Sequence, residues 1–364
     1  MASVTMKYDL VVVGGGPAGM AAALRAQKES VSNILLVERE EELGGVLRQC
    51  VHFGFGLIYF GEELTGPQYA ERFAIKIRQS NIDVFVATSV VQLKPDGVLV
   101  LSGEKCGLLE VKAQAVILAS GCRERPLGTI PLTGTRPSGI FTAGMAQKMM
   151  NLGGYEIGKR FVILGSGDIG LIMARQLKLL NRDVLAVIEK EKQCGGLERN
   201  RVHCLEKYHI PLQLRCTVTE IHGKNRITGV TIKNLFNEQE EFLACDTLIT
   251  SIGLIPEREL AEEVYSDGRL PDWLFLCGNA CYVHDAVDDV TLEAEETGRL
   301  AAQFVVSGKI TKRAKHISSR TGNAANSDII CIGCPKACAL IKTDNGFAGA
   351  VCGRKDPVPS CLCH

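Results

Sequence analysis

The chain has 364 residues, 46% of them hydrophobic, with 41 Lys and Arg balanced by 41 Asp and Glu. That is enough to bury two ordinary α/β domains and something smaller, while a net charge of zero without a clustered basic surface argues against a nucleic-acid partner. No run of about 18 uncharged apolar residues occurs, so no membrane span is expected. The apolar stretch Leu10 to Leu24 is broken by Gly14, Gly15, Gly16 and Pro17, which suits a strand, a turn and a helix better than the core of a signal peptide.

Near the N-terminus, Tyr8 to Val13 reads as a strand, followed by the turn Gly14-Gly15-Gly16-Pro17-Ala18-Gly19 and a helix to about Glu29. A second strand, Ile34 to Val37, ends at Glu38, with Arg39 next. The pattern recurs downstream. Phe161 to Leu164 is the strand, Gly165-Ser166-Gly167-Asp168-Ile169-Gly170 the turn, Leu171 to Leu180 the helix, and Val184 to Ile188 a strand ending at Glu189. The first glycine and the acid are 24 residues apart in both copies. A lone G-x-G-x-x-G is weak, but here each copy has the strand, helix and acid that a dinucleotide-binding βαβ unit requires.

The residue types follow from that chemistry. Gly14 and Gly165 permit a tight turn, Gly16 and Gly167 let a pyrophosphate approach the backbone, and Gly19 and Gly170 let helix pack on strand. The helix N-terminus offers free N–H groups and partial positive charge to phosphates, and Pro17 fits its first turn. Glu38 and Glu189 stand where a carboxylate accepts ribose hydroxyls.

Between the copies, Val84 to Val100 and Leu108 to Ile117 are β-rich and lead into Ala119-Ser120-Gly121. A matching stretch after the second copy, Thr217 to Phe242, leads into Ser251-Ile252-Gly253. Leu274 to Cys277 is an apolar strand before Gly278-Asn279, and an amphipathic helix is expected from about Thr291 to Val306. His284-Asp285 and Asp288-Asp289 lie between them, either facing the ligand or forming a polar helix start. Residues 309 to 327, which include the basic run Lys309 to Lys315, read as a solvated linker.

Six of the fifteen cysteines crowd into residues 331 to 363. With no secretory signal the chain reads as cytoplasmic and reduced, so the cluster points to metal rather than disulfides. Cys331, Cys334 and Cys338, at spacings of two and three intervening residues, with Cys352, form a four-thiolate set. It suits a 4Fe-4S cluster; zinc, a 2Fe-2S cluster or no metal stay open, and Cys361 or Cys363 can stand in for Cys352.

These landmarks resemble the pyridine nucleotide-dependent flavoprotein oxidoreductases with two dinucleotide-binding domains, over residues 7 to 308. The resemblance implies an α/β fold of two Rossmann-like domains, the second inserted in the first. FAD binding is expected in residues 1–125 and 255–308, NAD(H) binding in residues 126–254, and a small cysteine-rich metal domain in residues 328–364 after the linker. It also implies that Gly44, Gly45 and Val46, the Ala119-Ser120-Gly121 crossing and the Gly278-Asn279 motif meet FAD; Ser120 and Asn279 depart from the usual Thr and Asp but remain small and polar. Glu42 to Cys50, Gly121 to Pro126 and Gly139 to Gly144 resemble a subgroup of NADH-dehydrogenase-like subunits of dye-linked amino-acid and opine dehydrogenases. Gly54-Phe55-Gly56 through Glu63-Leu64-Thr65-Gly66-Pro67 is more similar to the version associated with glycerol-3-phosphate dehydrogenases. That similarity implies an electron-relay subunit beside a separate substrate-oxidising flavoprotein, hence a hetero-oligomer. The tail is similar to a small cysteine-motif domain encoded beside the glycerol-3-phosphate-associated flavoproteins.

Disulfide reductases of this family carry a redox cysteine pair. Here Cys50 stands alone before Cys106, and no C-x-x-C lies between Phe141 and Glu257. The chain also ends before the dimerisation domain that the resemblance associates with those enzymes. Disulfide reduction is therefore not expected. Cys277 and Cys281 read as small core residues rather than a redox pair. A free-standing NADH:acceptor oxidoreductase and a redox sensor with structural FAD are the alternatives to the relay subunit.

Overall fold

A computed structural model of the protein describes residues 5–266 and 269–308. The first nucleotide-type unit begins with β1 (Thr5–Val13), α1 (Pro17–Lys28) and β2 (Ile34–Val37), then α2 (Gly66–Arg78), β3 (Asp83–Phe85), β4 (Thr88–Leu93), β5 (Val98–Gly103) and β6 (Gly107–Leu118). Its sheet runs β3-β2-β1-β6-β5-β4. The β1, β2, β3 and β6 pairings are parallel, whereas β4, β5 and β6 form an antiparallel meander. Leu10, Val11 and Val12 are all buried, as expected when a parallel sheet is covered on both faces.

The second unit contains β7 (Ile140–Thr142), α3 (Ala143–Asn151), β8 (Arg160–Leu164), α4 (Asp168–Leu179), β9 (Asp183–Glu189) and β10 (Leu212–Leu214). A meander of β11 (Cys216–Gly223), β12 (Ile227–Asn234) and β13 (Glu240–Leu243) follows, then β14 (Thr247–Thr250). Its sheet runs β7-β14-β8-β9-β10, all parallel. The order β10-β9-β8-β14 repeats β3-β2-β1-β6, so the duplication legible in the turns extends to the strand order.

The chain crosses between units twice, and the crossings pair with each other: Cys122, Arg123 and Glu124 lie antiparallel to Pro256, Ile255 and Leu254. It then re-enters the first sheet as β15 (Leu274–Leu276), parallel to the end of β6, and closes with α5 (Val287–Ser307) packed on α1. An aromatic cluster of Tyr59, Phe60, Tyr69 and Phe73 anchors α2 on the first core.

Two helices start earlier than their apolar periodicity indicates. The helix expected from Leu171 begins at Asp168, directly off Gly167, and the one expected from Thr291 begins at Val287. In both, the first turn holds acidic residues, which the positive end of the helix dipole accommodates and apolar periodicity misses. Among the described residues no helix is long and apolar enough to cross a membrane. The expected linker and the ligand set Cys331, Cys334, Cys338 and Cys352 lie outside the described residues.

Candidate functional site

The two turns are built alike, atom for atom. In the first, Gly14 N–H donates to Val37 O and Ala119 N–H to Val13 O; in the second, Gly165 N–H donates to Ile188 O and Ser251 N–H to Leu164 O. Gly14 and Gly165 have φ of +108° and +98°, a region L side chains avoid, and a Cβ on either would sit 2.3 Å from Ala119 O or 2.1 Å from Ser251 O. The strand end that carries Ala119-Ser120-Gly121, or Ser251-Ile252-Gly253, is thus what each turn presses against.

The acid at the end of the second strand locks the turn. Glu38 accepts from Gly15 N–H (2.7 Å) and Glu40 N–H (2.8 Å). Glu189 accepts from Ser166 N–H (2.9 Å), Ser166 Oγ (2.6 Å) and Glu191 N–H (3.0 Å). Both carboxylates are buried. Each therefore organises its turn by charge-assisted hydrogen bonds while sitting at the strand end where a ribose would lie.

A second repeat is not marked by the turn motifs themselves. Gly44-Gly45 follows Glu38 by six residues, and Gly195-Gly196 follows Glu189 by the same six. Gly44 N–H donates to Gly15 O, and Gly195 N–H to Ser166 Oγ, so both glycine pairs dock on the same position of their turn. Asp168 completes the second loop by accepting from Leu197 N–H and Asn200 Nδ2. The constant interval between acid and glycine pair is the signal in the sequence that finds the second pair.

A cleft of about 870 Å³ opens over the first turn, near the upper end of the roughly 300–1,000 Å³ of small-molecule sites. Gly14, Gly16, Pro17, Ala18, Glu38, Arg39, Gly45, Val46, Ala119, Ser120, Gly121 and Asn279 line it, as does Ile169 from the second unit. Gly19, Gly44 and Gly278 lie behind this surface: a Cβ on Gly278 would meet Ala18, and one on Gly44 would meet Arg48 and Ala70. Gly165, Gly167, Asp168, Gly170, Glu189 and Gly253 form the second turn and are not part of the cleft lining. The cradle fits a pyrophosphate: the nearest atom to a Cβ on Gly16 would be Gly45 Cα at 3.9 Å, so the backbone there faces open space.

The second unit closes one wall. Lys148 on α3 pairs with Glu40 at 2.9 Å, which holds the Glu40 carboxyl below its ordinary pKa. Glu124 accepts from Gly144 N–H (2.7 Å) and Met145 N–H (3.2 Å) at the start of α3, and Gln49 Nε2 donates to Gly144 O (2.9 Å). His284 and Asp285 line the cleft, whereas Asp288 sits in the first turn of α5 with Oδ2 accepting from Ile58 N–H.

The nine cysteines of the described residues are free thiols. Burial pushes the Cys50 thiol up to about 12 and the Cys277 thiol well above its usual range. Cys277 and Cys281 pack into separate cores, consistent with small apolar residues. No group of metal-binding side chains is found among the described residues.

The two glycines of the first motif make a paired test. Gly19→Ala would place a Cβ 1.8 Å from Gly14 O, so it should destabilise the fold by at least about 1–3 kcal/mol despite the better helix propensity of Ala. Gly16→Ala, with φ −74° and open space above it, should leave the denaturation midpoint of the flavin-free protein unchanged and abolish retention of the expected FAD. Urea denaturation and the flavin spectrum of each purified variant read the two effects.

Comparison with known proteins agrees with this geometry. The family model described as pyridine nucleotide-disulphide oxidoreductase matches residues 8–268. The hydrogen cyanide synthase subunit HcnB of Pseudomonas protegens is 27% identical over 303 residues, covering 76% of this chain and 62% of its own. An alkyl hydroperoxide reductase component of Staphylococcus aureus is 25% identical over 251 residues, covering 68% of this chain and 47% of its own. The chain thus spans roughly half to three-fifths of the length of these relatives. Among solved structures, thioredoxin reductase of T. acidophilum superposes with a TM-score of 0.66 at 21% identity, over 83% of this chain and 98% of that one, a likeness of fold. The chain belongs to the pyridine nucleotide-disulphide oxidoreductase family.

Proposed function

We propose that the chain is the electron-transfer subunit of a larger dehydrogenase, of glycerol-3-phosphate or amino-acid type, passing hydride between NAD(H) in residues 126–254 and FAD in residues 1–125 and 255–308. The observation that carries the two-nucleotide reading is the pair of equivalent turns, each locked by its own buried glutamate. Hydride transfer needs no acid, base or nucleophile from the protein, because the cofactors supply the reacting atoms and the chain supplies binding and orientation. Gly16 and the α1 N-terminus hold the pyrophosphate of FAD, Glu38 its ribose, and Asn279 its polar chain; Gly167, the α4 N-terminus and Glu189 do the same for the nicotinamide nucleotide.

The subunit role is supported by HcnB, which is itself named as a subunit of a synthase. Disulfide reduction is disfavoured by the cysteines: no C-x-x-C lies in residues 141–257, and Cys50 faces Val46 O and Gln147 rather than a second thiol. The partner is a substrate-oxidising flavoprotein in the cytoplasm. The tail carries a 4Fe-4S cluster on Cys331, Cys334, Cys338 and Cys352, with zinc as the competing metal, since four thiolates suit either.

Two measurements test the reading. The released flavin should be FAD rather than FMN, and NADH should reduce it faster than NADPH in anaerobic stopped flow. Glu189 would repel a 2′-phosphate by on the order of 1–4 kcal/mol, or roughly 5- to 1000-fold; FMN, or equal rates with both nucleotides, contradicts the assignment. For the tail, anaerobic protein should hold about four irons per chain, and Cys334→Ser should remove them while FAD stays bound. Stoichiometric zinc without iron would make the tail a structural clip.

A further inference from the structure

Behind the cleft lies a buried polar chain that hydride transfer does not require. Asn279 and His284 line the cleft together with Cys122. Asn279 Nδ2 donates to Cys122 Sγ (3.6 Å), and Asn279 Oδ1 accepts from the backbone N–H of His284 (3.0 Å), with His284 Nδ1 3.3 Å away. On the far side of the ring, His284 Nε2 lies 2.8 Å from Glu293 Oε2, although that oxygen sits off the ring's N–H axis. The two side chains are 3% and 0% exposed, so water does not screen them. Glu293 Oε2 also accepts from Gly278 N–H (3.2 Å), and the Tyr282 ring stacks on His284 at 3.9 Å.

The proton count follows from the partners. Asn279 is oriented with its amide group on Cys122, so its oxygen faces His284, and Nδ1 must carry the proton toward it. Nε2 then has a carboxyl oxygen at contact distance, off its axis, with no room for water between them. Two bare acceptors at that distance in a buried site repel, so one further proton resides on Nε2 or on Glu293. The pair is neutral in both arrangements: a carboxylic acid beside imidazole, or a carboxylate beside imidazolium. The other ionisable groups around it are poor proton sources. Burial raises the Cys277 thiol, which also feels Glu293, and the Cys122 thiol, which has Glu257 and Glu124 nearby. Asp288 binds Ile58 N–H, and Arg258 is committed to the carbonyls of Ala280 and Cys281.

We propose that His284 and Glu293 form an internal proton store that answers negative charge arriving in the cleft: the proton moves from the Glu293 carboxyl to His284 Nε2, leaving carboxylate and placing imidazolium at the cleft wall. One O–H bond breaks and one N–H bond forms; no electron moves within the pair, and no proton is drawn from solvent. Glu293 acts through His284 and is a positioning residue. The effect would be to stabilise the reduced state of a flavin held in the cleft by placing a positive charge at the cleft wall. This inference rests on the cleft holding FAD.

The test is the flavin midpoint potential of the intact chain, measured against reference dyes from pH 6 to 9. Glu293→Gln keeps an acceptor for Gly278 N–H but has no proton to give. It should shift the reduction equilibrium at least tenfold toward the oxidised form, about 30 mV for a two-electron couple. The potential should also become steeper with pH, because the balancing proton now comes from solvent. His284→Gln leaves Glu293 in place and covers the case in which Glu293→Gln fails to fold; it should lower the potential similarly without the steeper slope. A chain that binds no flavin refutes the proposed function itself. A chain that binds FAD with parental potential and slope in a folded variant refutes the proton store alone.

Discussion

A buried carboxylate bound to the backbone of a glycine turn is the interaction on which both halves of this molecule depend. Glu38 holds Gly15, and Glu189 holds Ser166, each at hydrogen-bond distance and out of solvent. Charge-assisted bonds of this kind are about twice as strong as neutral ones and here act without competition from water. They tie the end of the second strand to the turn after the first. The start of the helix is then fixed by the chain's own contacts. The same tie sets the distance between each helix start and the strand-end carboxylate.

The turn is braced from the other side by a crossing strand. The carbonyls of Ala119 and Ser251 occupy the space that a Cβ on Gly14 or Gly165 would need. Those residues begin the segments through which the chain passes between units, and the two segments pair with one another. The position of each turn is therefore coupled to the junction. Lys148 with Glu40, and Glu124 with the start of α3, add polar contacts across the same boundary. A cleft lined from both units follows from this arrangement.

Much of this is legible in the residues. The two βαβ units can be read because glycine spacing, an apolar strand and a terminal acid are local signals that agree with one another. The glycine pair after Glu189 is equally local, but it shows only when the two copies are aligned on their acids. The roles of Glu38 and Glu189 as turn locks are hidden, because the spacing marks a ribose acid without revealing what else the carboxylate binds. The link from Asn279 through His284 to Glu293 joins the turn after β15 to the second helical turn of α5. No periodicity predicts that a glutamate on a helix face will be wholly buried beside a histidine. Apolar periodicity misplaces the helix starts where Asp168 and Asp288 interrupt the pattern yet suit the helix N-terminus.

The division of labour between the two turns is tested most directly by measuring flavin content and NADH affinity in parallel on Glu38→Gln and Glu189→Gln. Glu38→Gln should lose FAD while the second turn still binds NADH. Glu189→Gln should keep FAD and lose NADH affinity by roughly tenfold or more, the loss expected for about 1.4 kcal/mol of binding. Retention of both nucleotides in both variants, or loss of FAD from Glu189→Gln in a folded protein, would contradict the account.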